Sequence, residues 1–439
     1  MRFERRAVVL SSDVIGLGAV RSLARAGVPT IAVTLNRFEP VRFSRYAEKR
    51  PVPRSEDQDA AILEVLAGIE ESPPPVLLPT SDYLAHFLAR HRAELAGRFV
   101  SCIPSDDVME LVLDKSRDTR LLQEWELPLP RSVQLLPRTP AELVRRLGLP
   151  LIIKPRTYED KRELGWRNVV AHRIEHVEEF YRSQREVFGR VIGQELIPGG
   201  DDALWECICV FDANSDLASA FTFRKLRTVP AHYGQTSHGR SERNEEIIEL
   251  ARTLGKRLGY VGPADFDLKY DHRDGQYKYL ELNPRLGLCN EFATRSGVNL
   301  ALAAYCVASG NAPPRPAQRE GVTFLAALED AGGRLYDGDG PGRVLVDLLR
   351  ALARHPVGAY FAWDDPLPGP FAAVRLAYRF VQEAWRGRLA SIFTKDYRKL
   401  PDRSAAVEAP RGGIRVSDPR HRPPTGLTST PAAPPARSG

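Results

Sequence analysis

The 439-residue chain, with 43% hydrophobic and 27% charged side chains, has the composition of a globular protein of two or three domains and excludes fibrous or low-complexity classes. Its net charge of +6 invites a nucleic-acid partner, but acids are interspersed with the basic residues and no aromatic-rich basic strip accompanies them, which argues against one. Five cysteines without metal spacing or C-x-x-C pairs argue against a disulfide scaffold, no apolar run of about 18 residues predicts a membrane span, and Met1–Arg6 begins no signal-peptide pattern, so the expected location is cytoplasmic.

The first elements predict an α/β unit. Strand Ala7–Leu10 leads through Ser11–Gly18 into a helix ending at Ala26, and a second strand runs from Thr30 to Leu35. Glycines after a first strand suit a dinucleotide phosphate, yet Arg21 occupies the third glycine's place and no acid ends the second strand, so a tight turn before a packed helix is the better expectation. A helix over Gln58–Ile69 and a strand at Val76–Leu78 continue the alternation, and Asp82 is expected to cap the next helix rather than to contact substrate.

A helix opens at Asp114-Lys115 and ends before Pro128. Lys154 follows the apolar strand Leu151–Ile153, which would present its ammonium from the strand's end as a point charge. Residues 155–170 predict a charged, flexible connection. Strand Val191–Ile197 ends in the turn Pro198-Gly199-Gly200, and Trp205–Val210 and Ala218–Phe223 predict paired strands with Cys207 and Cys209 on one face. The basic stretch Arg224–Ser237 is expected to form a loop binding a carboxylate, through Arg227 first and Lys225 second. A helix spans Glu245–Leu258.

Asp265–Tyr270 and Tyr277–Leu282 alternate polar and apolar residues around the turn residues Asp271–Gly275, which predicts a hairpin. One face of it would bring Asp267 near Glu281, with Asn283 two positions further on, because side chains repeat every second residue. Two carboxylates and an amide form an oxygen-only site suited to a hard cation such as Mg2+ bridging nucleotide phosphates. Arg285 adds a planar fork for a phosphoryl or carboxylate group. Beyond it, a helix over Val298–Ala308, a linker at 313–316 and weaker α/β or helical material to Tyr360 precede a basic amphipathic helix at Phe371–Phe393, expected to pack on the body rather than to serve a partner or a membrane surface; composition predicts disorder from Pro401 onward.

Glu281-Leu282-Asn283-Pro284-Arg285 resembles the E-x-N-P-R metal-site signature of the ATP-grasp superfamily, the carboxylate–amine ligases and relatives such as biotin carboxylase and carbamoyl-phosphate synthetase. The resemblance implies an α/β architecture: a Rossmann-like domain over 1–110, an ATP-grasp catalytic domain over 111–310 with a lid subdomain at about 130–200, a partly helical extension over 311–400, and the tail 401–439. It implies that Asp267, Glu281 and Asn283 hold Mg2+ or Mn2+, that Lys115 and Lys154 bind ATP phosphates, and that Glu195 and Leu196 meet adenine while Asp202 meets ribose. Arg285 would steady the transferred phosphoryl group. Lys161, Arg162, Trp166 and Arg167 stand where the family's lid is rich in small residues. The activity implied is phosphorylation of a small carboxylate to an acyl phosphate and its capture by an amine, with release of ADP and phosphate; a homodimer is compatible with it. The alternative on the same fold is a catalytically silent ATP-binding regulator.

Overall fold

The computed structural model describes residues 3–166, 168–385 and 397–398. Arg167, residues 386–393 of the expected last helix and the expected tail from Pro401 lie outside them. Strands β1 (Ala7–Ser11), β2 (Thr30–Thr34), β3 (Glu48–Pro51) and β4 (Val76–Pro79) form a parallel sheet in the order β3-β2-β1-β4. β1, β2 and β4 are buried throughout, as expected for parallel strands covered on both faces.

The helix Asp13–Arg25 follows β1. A Cβ at Gly18 would come within 2.9 Å of Asn290 Oδ1, so this glycine serves close packing. Arg21 is fully buried and donates to Asp365 at 2.9 Å, Glu291 at 3.0 Å and the carbonyls of Tyr360 and Asp365 at 2.8 Å. The residue that breaks the glycine fingerprint therefore clamps the region after residue 359 onto the first helix.

A second, mostly antiparallel sheet contains β5 (Ser132–Val133), β6 (Leu151–Pro155), β7 (Asn168–Ala171) and β8 (Val191–Glu195) in the order β7-β6-β8-β5. Its apolar face packs on helices Pro140–Leu147 and Ile174–Ser183 through Leu143, Ile153, Val177 and Phe180. The expected flexible connection after β6 instead contains a helix, Tyr158–Leu164. Thr157 and Asp160 form a reciprocal capping box at its start, and Gly165 in the left-handed region closes it. Trp166 is not in an open lid but buried edge-on against Phe180.

The third sheet has the order β13-β12-β9-β10-β11-β14-β15. Its members are β9 (Leu204–Phe211), β10 (Leu217–Val229), β11 (Gln235–Ser241), β12 (Gly262–Asp271), β13 (Gln276–Asn283), β14 (Thr323–Leu325) and β15 (Val357–Gly358). The expected basic loop Arg224–Ser237 is mostly strand, reduced to a turn at 230–234. Helices Ala327–Tyr336 and Pro341–Leu352 connect β14 to β15, and helix Pro368–Trp385 follows. Phe371 of that helix stacks on Phe43 at 3.9 Å, so one face packs on the body. All five cysteines are buried free thiols. Among the described residues no helix is long and apolar enough to cross a membrane.

Candidate functional site

A cleft of about 150 Å3 lies where the second and third sheets face each other. β12 and β13 pair antiparallel with Asp267 directly opposite Glu281 and Asp265 opposite Asn283. On its other side Asp267 lies opposite Glu206 of β9. Cross-strand neighbours share a face, so Glu206, Asp267 and Glu281 form a row of three acids across three strands, with Asp265 and Asn283 in the next row.

Two lysines hold this row. Lys225, buried on β10, donates to Asp267 Oδ1 at 2.5 Å and lies 3.1 Å from Glu206. Burial opposes its charge, but Asp267 and Glu206 hold its pKa well above the ordinary lysine value. Lys115, at the start of helix Lys115–Glu124, lies 3.0 Å from Glu281. Arg285 pairs with buried Asp265 and lies 3.3 Å from Asp82. Burial and then Glu206 push the Asp265 carboxyl well up, against the pull of Arg285. The face thus carries five acids, Asp82, Glu206, Asp265, Asp267 and Glu281, against the three cations Lys115, Lys225 and Arg285. Such an excess at a cleft favours a cation. Among the described residues no group of three or more His, Cys, Asp or Glu side chains converges as a complete metal cage. Asp267, Glu281 and Asn283 all line the cleft, and side-chain oxygens of this kind suit a hard cation rather than zinc.

Opposite this floor, Lys154 at the end of β6 donates to Gln194 Oε1 at 3.0 Å, and Lys161 of the helix after β6 also lines the cleft. Glu195 and Leu196 line its far end. The Glu195 carboxylate is turned to Arg131, accepting from its backbone N at 2.9 Å, Nε at 2.8 Å and Nη2 at 2.7 Å, with Arg273 at 3.3 Å. Despite its burial, these cations hold it below the usual carboxylate range. The Leu196 amide donates to Pro150 O at 3.1 Å. Proline has no N–H to return, so the ladder between β6 and β8 ends at this pair.

Three expected site residues are not in the cleft lining. Arg227 donates to Asp330 at 2.7 and 2.8 Å from Nε and Nη2, because the register of β10 against β11 shifts on either side of it and turns it away from the direction Lys225 takes. Asp202 is exposed on a short turn of 3-10 helix, while neighbouring Asp201 is buried and accepts from Thr228 N at 2.6 Å and His232 N at 2.7 Å, tying down the turn at 230–234. Arg285 lies beneath the lining with Asp265 rather than open to it. Asp82, expected as a helix cap, is the first residue inside its helix; Ser81 is the cap, leaving Asp82 to Arg285. Glu206 and Asp265 were missed as parts of the site. The signal for Glu206 was an acid inside an otherwise apolar strand.

A second cavity, of about 360 Å3, meets the cleft at Gly234. A Cβ on Gly234 would lie 2.0 Å from the carbonyl of Val229, so only glycine closes this turn. The cavity is lined by two acids, Asp13 and Glu329, and two arginines, Arg375 and Arg379. Arg375 donates to Asp13 at 2.9 Å, and burial raises the pKa of Glu329.

No family model matches the chain. A D-aspartate ligase of Enterococcus faecium is 25% identical over 313 residues, which cover 67% of this chain and 74% of the relative. The carbamoyl phosphate synthase large chain of Methanosarcina mazei is 24% identical over 315 residues, only 28% of its own length. Among solved structures, the N5-carboxyaminoimidazole synthetase of Staphylococcus aureus superposes with a TM-score of 0.57 at 12% identity, over 81% of this chain and 88% of that one. The biotin carboxylase domain of the Hydrogenobacter thermophilus 2-oxoglutarate carboxylase, a dimer in complex with MgADP, ADP and bicarbonate, superposes with a TM-score of 0.56 at 17% identity, over 74% of each chain. With the hairpin carrying Glu281-Leu282-Asn283-Pro284-Arg285 in place, the chain shares the fold of these solved structures and is similar in sequence to ATP-grasp enzymes of the carboxylate–amine ligase type.

Proposed function

We propose that the cleft binds ATP with Mg2+ and that a substrate carboxylate attacks the γ-phosphorus, expelling ADP and forming an acyl phosphate whose acyl carbon is then attacked by an amine. The new C–N bond forms as the C–O bond to phosphate breaks, and the amine gives up a proton. The observation that carries this reading is the acid row Asp267–Glu281 held by Lys225 and Lys115 across the cleft from Lys154.

Asp267, Glu281 and Asn283 would hold Mg2+, which supplies charge neutralisation to the phosphates. Lys115 and Lys154 would place point charges against phosphate oxygens. A divalent cation held by Asp267 and Glu281 would compete with Lys115 for Glu281 and with Lys225 for Asp267, Lys225 keeping Glu206 as its partner. Arg285 fixes Asp265 beneath the row and acts as a positioning residue. At the far end, the Leu196 carbonyl, to which Pro150 returns no hydrogen bond, would accept from the adenine amino group. Lys161 stands on the helix that would cover the phosphates and exclude water from the acyl phosphate.

The second cavity would hold a substrate. Its mixed lining suits a small carboxylate-bearing molecule held toward Arg379, so an amino acid is the proposed class; the relative named for ligating D-aspartate supports it. The test is ADP and phosphate release by the purified protein with Mg-ATP against individual amino acids and small carboxylates, with mass spectrometry of the products. Release tied to a condensed mass is the expected result. Binding of Mg-ATP with no release from any pool would overturn turnover in favour of a regulatory nucleotide-binding protein.

A further inference from the structure

An aliphatic amine reaches a neutral active site as an ammonium, and it attacks nothing until a base has taken a proton from it. Most groups lining the cleft are already committed. Glu281 is paired with Lys115 and Asp267 with Lys225, Asp82 faces Arg285, and Glu195 is held by Arg131 and Arg273. Burial raises the hydroxyl pKa of Tyr158 and Tyr233, which keeps both protonated. Among the described residues His232 is the one histidine of the cleft lining. His238 on β11 lines neither the cleft nor the second cavity, and burial pushes its pKa down to about 4.

His232 belongs to the turn at 230–234, whose Pro230 and Gly234 line the second cavity while His232, Tyr233 and Gly234 line the cleft. Its backbone lies at φ +70°, a region that a non-glycine residue seldom occupies unless its surroundings hold it there. Buried Asp201 supplies the hold. Its Oδ1 accepts from the His232 amide at 2.7 Å and lies 3.0 Å from Nδ1 of the ring, while its Oδ2 accepts from Thr228 N at 2.6 Å and Oγ1 at 3.0 Å. A carboxylate at Nδ1 places the imidazole hydrogen on that nitrogen and the lone pair on Nε2, and it stabilises the imidazolium formed when Nε2 is protonated. The His232 side chain is 55% exposed, so the ring is anchored on its Nδ1 edge without being shut away from the cleft.

On the ligase reaction proposed above, on which this inference rests, we propose that His232 is the proton acceptor for the attacking amine and that Asp201 is the residue that positions it. Nε2 takes one proton from the ammonium, and the lone pair so exposed forms the C–N bond to the acyl carbon. The C–O bond to phosphate breaks with its electron pair leaving on phosphate, which takes the second proton of the nitrogen. Imidazolium then returns its proton to water.

The experiment supplies the full chain with Mg-ATP, each amino acid in turn, and either hydroxylamine or methylamine at neutral pH. Hydroxylamine is largely uncharged there and traps an acyl phosphate as a hydroxamate without help from a base, whereas methylamine is an ammonium. His232→Gly suits the positive φ and keeps the amide that Asp201 holds, so it removes the ring alone. Expected is methylamide formation reduced about 100-fold or more in this variant, with hydroxamate formation within about threefold of the parent, and at least about tenfold recovery of the methylamide on adding free imidazole. Equal loss with both amines overturns the inference and makes His232 a support of the nucleotide site. Unchanged methylamide formation, loss that imidazole leaves unrepaired, or a parent that makes hydroxamate but no methylamide also overturns it. No hydroxamate from the parent with any amino acid overturns the ligase reading itself, and this inference with it.

Discussion

Lys225 Nζ lies 2.5 Å from Asp267 Oδ1, at a position 5% exposed, and its other acid partner, Glu206, is 3.1 Å away. A lysine buried between two acids at the floor of a cleft offsets part of the excess of acids over cations on this face. Removing it should leave Glu206, Asp265 and Asp267 facing one another. Lys225→Met is therefore expected to destabilise the metal-free protein by about 3–5 kcal/mol, the usual cost of breaking a buried pair from one side. Saturating Mg2+ with ADP should restore part of the loss. Chemical denaturation with and without the ion would show this, and equal losses in both conditions would separate Lys225 from the metal site.

Glu281 faces Asp267 in register and is half of the convergent carboxylate pair. Glu281→Gln keeps its shape and its place on β13 but removes one charge from the proposed ligand set. ATP turnover should fall about 100-fold or more, corresponding to several kcal/mol of transition-state charge stabilisation, while the melting temperature stays close to the parent's. Unchanged ADP production would remove the metal assignment. Lys154→Ala should act differently, chiefly raising KM for ATP, because it removes a phosphate contact rather than a metal ligand.

The contrast between these residues shows what the sequence can and cannot carry. The hairpin was legible because Asp265–Tyr270 and Tyr277–Leu282 alternate around strong turn residues, and alternation alone puts Asp267 and Glu281 on one face. Lys154 was legible as a scarce lysine ending an apolar strand. Glu206 and Lys225 come from strands far away in sequence, and no local pattern fixes which strands become neighbours. Arg227 was misplaced because register shifts in β10 turn it to Asp330, an irregularity that composition does not encode. The helix Tyr158–Leu164 differs from the expected flexible connection: its capping box, Thr157 and Asp160, stands in the sequence, but the helix buries no residue and so carries no apolar periodicity to mark it.

Glu39 provides a pH test remote from the cleft. Its carboxyl accepts from the amides of Leu35 and Asn36 at 3.0 Å, yet burial pushes its pKa up to about 7. The fold therefore prefers it protonated, whereas an unfolded glutamate ionises near pH 4.3. The stability this contributes is fully present below about pH 4 and is lost as pH rises through about 7, at roughly 1.4 kcal/mol for each pH unit crossed in that interval. Glu39→Gln stays neutral throughout, so it should be increasingly more stable than the parent as pH rises from about 4 to 8. Denaturation midpoints at several pH values measure this; a constant difference would show that Glu39 is already ionised in the fold.

Arg21 provides the test of how the C-terminal elements are held. Its guanidinium is fully buried and meets Asp365, Glu291 and two carbonyls, while its neighbour Arg25 meets Glu291 at 2.7 Å and Asp364 at 2.7 Å. These two arginines on the first helix thus fasten residues 360–365, which lead into helix Pro368–Trp385 and the arginine side of the second cavity. Arg21→Leu matches the apolar stem but orphans Asp365 and Glu291, at an expected cost of about 3–5 kcal/mol. Local opening should be centred on the fastened segment, so amide exchange should rise first over 357–385 while β12 and β13 keep their protection. The proposed substrate cavity would lose Arg375 and Arg379 with that segment, and the affinity for the proposed amino-acid substrate should fall more than that for Mg-ATP. A uniform rise in exchange across the third sheet would instead make Arg21 a general support of the core.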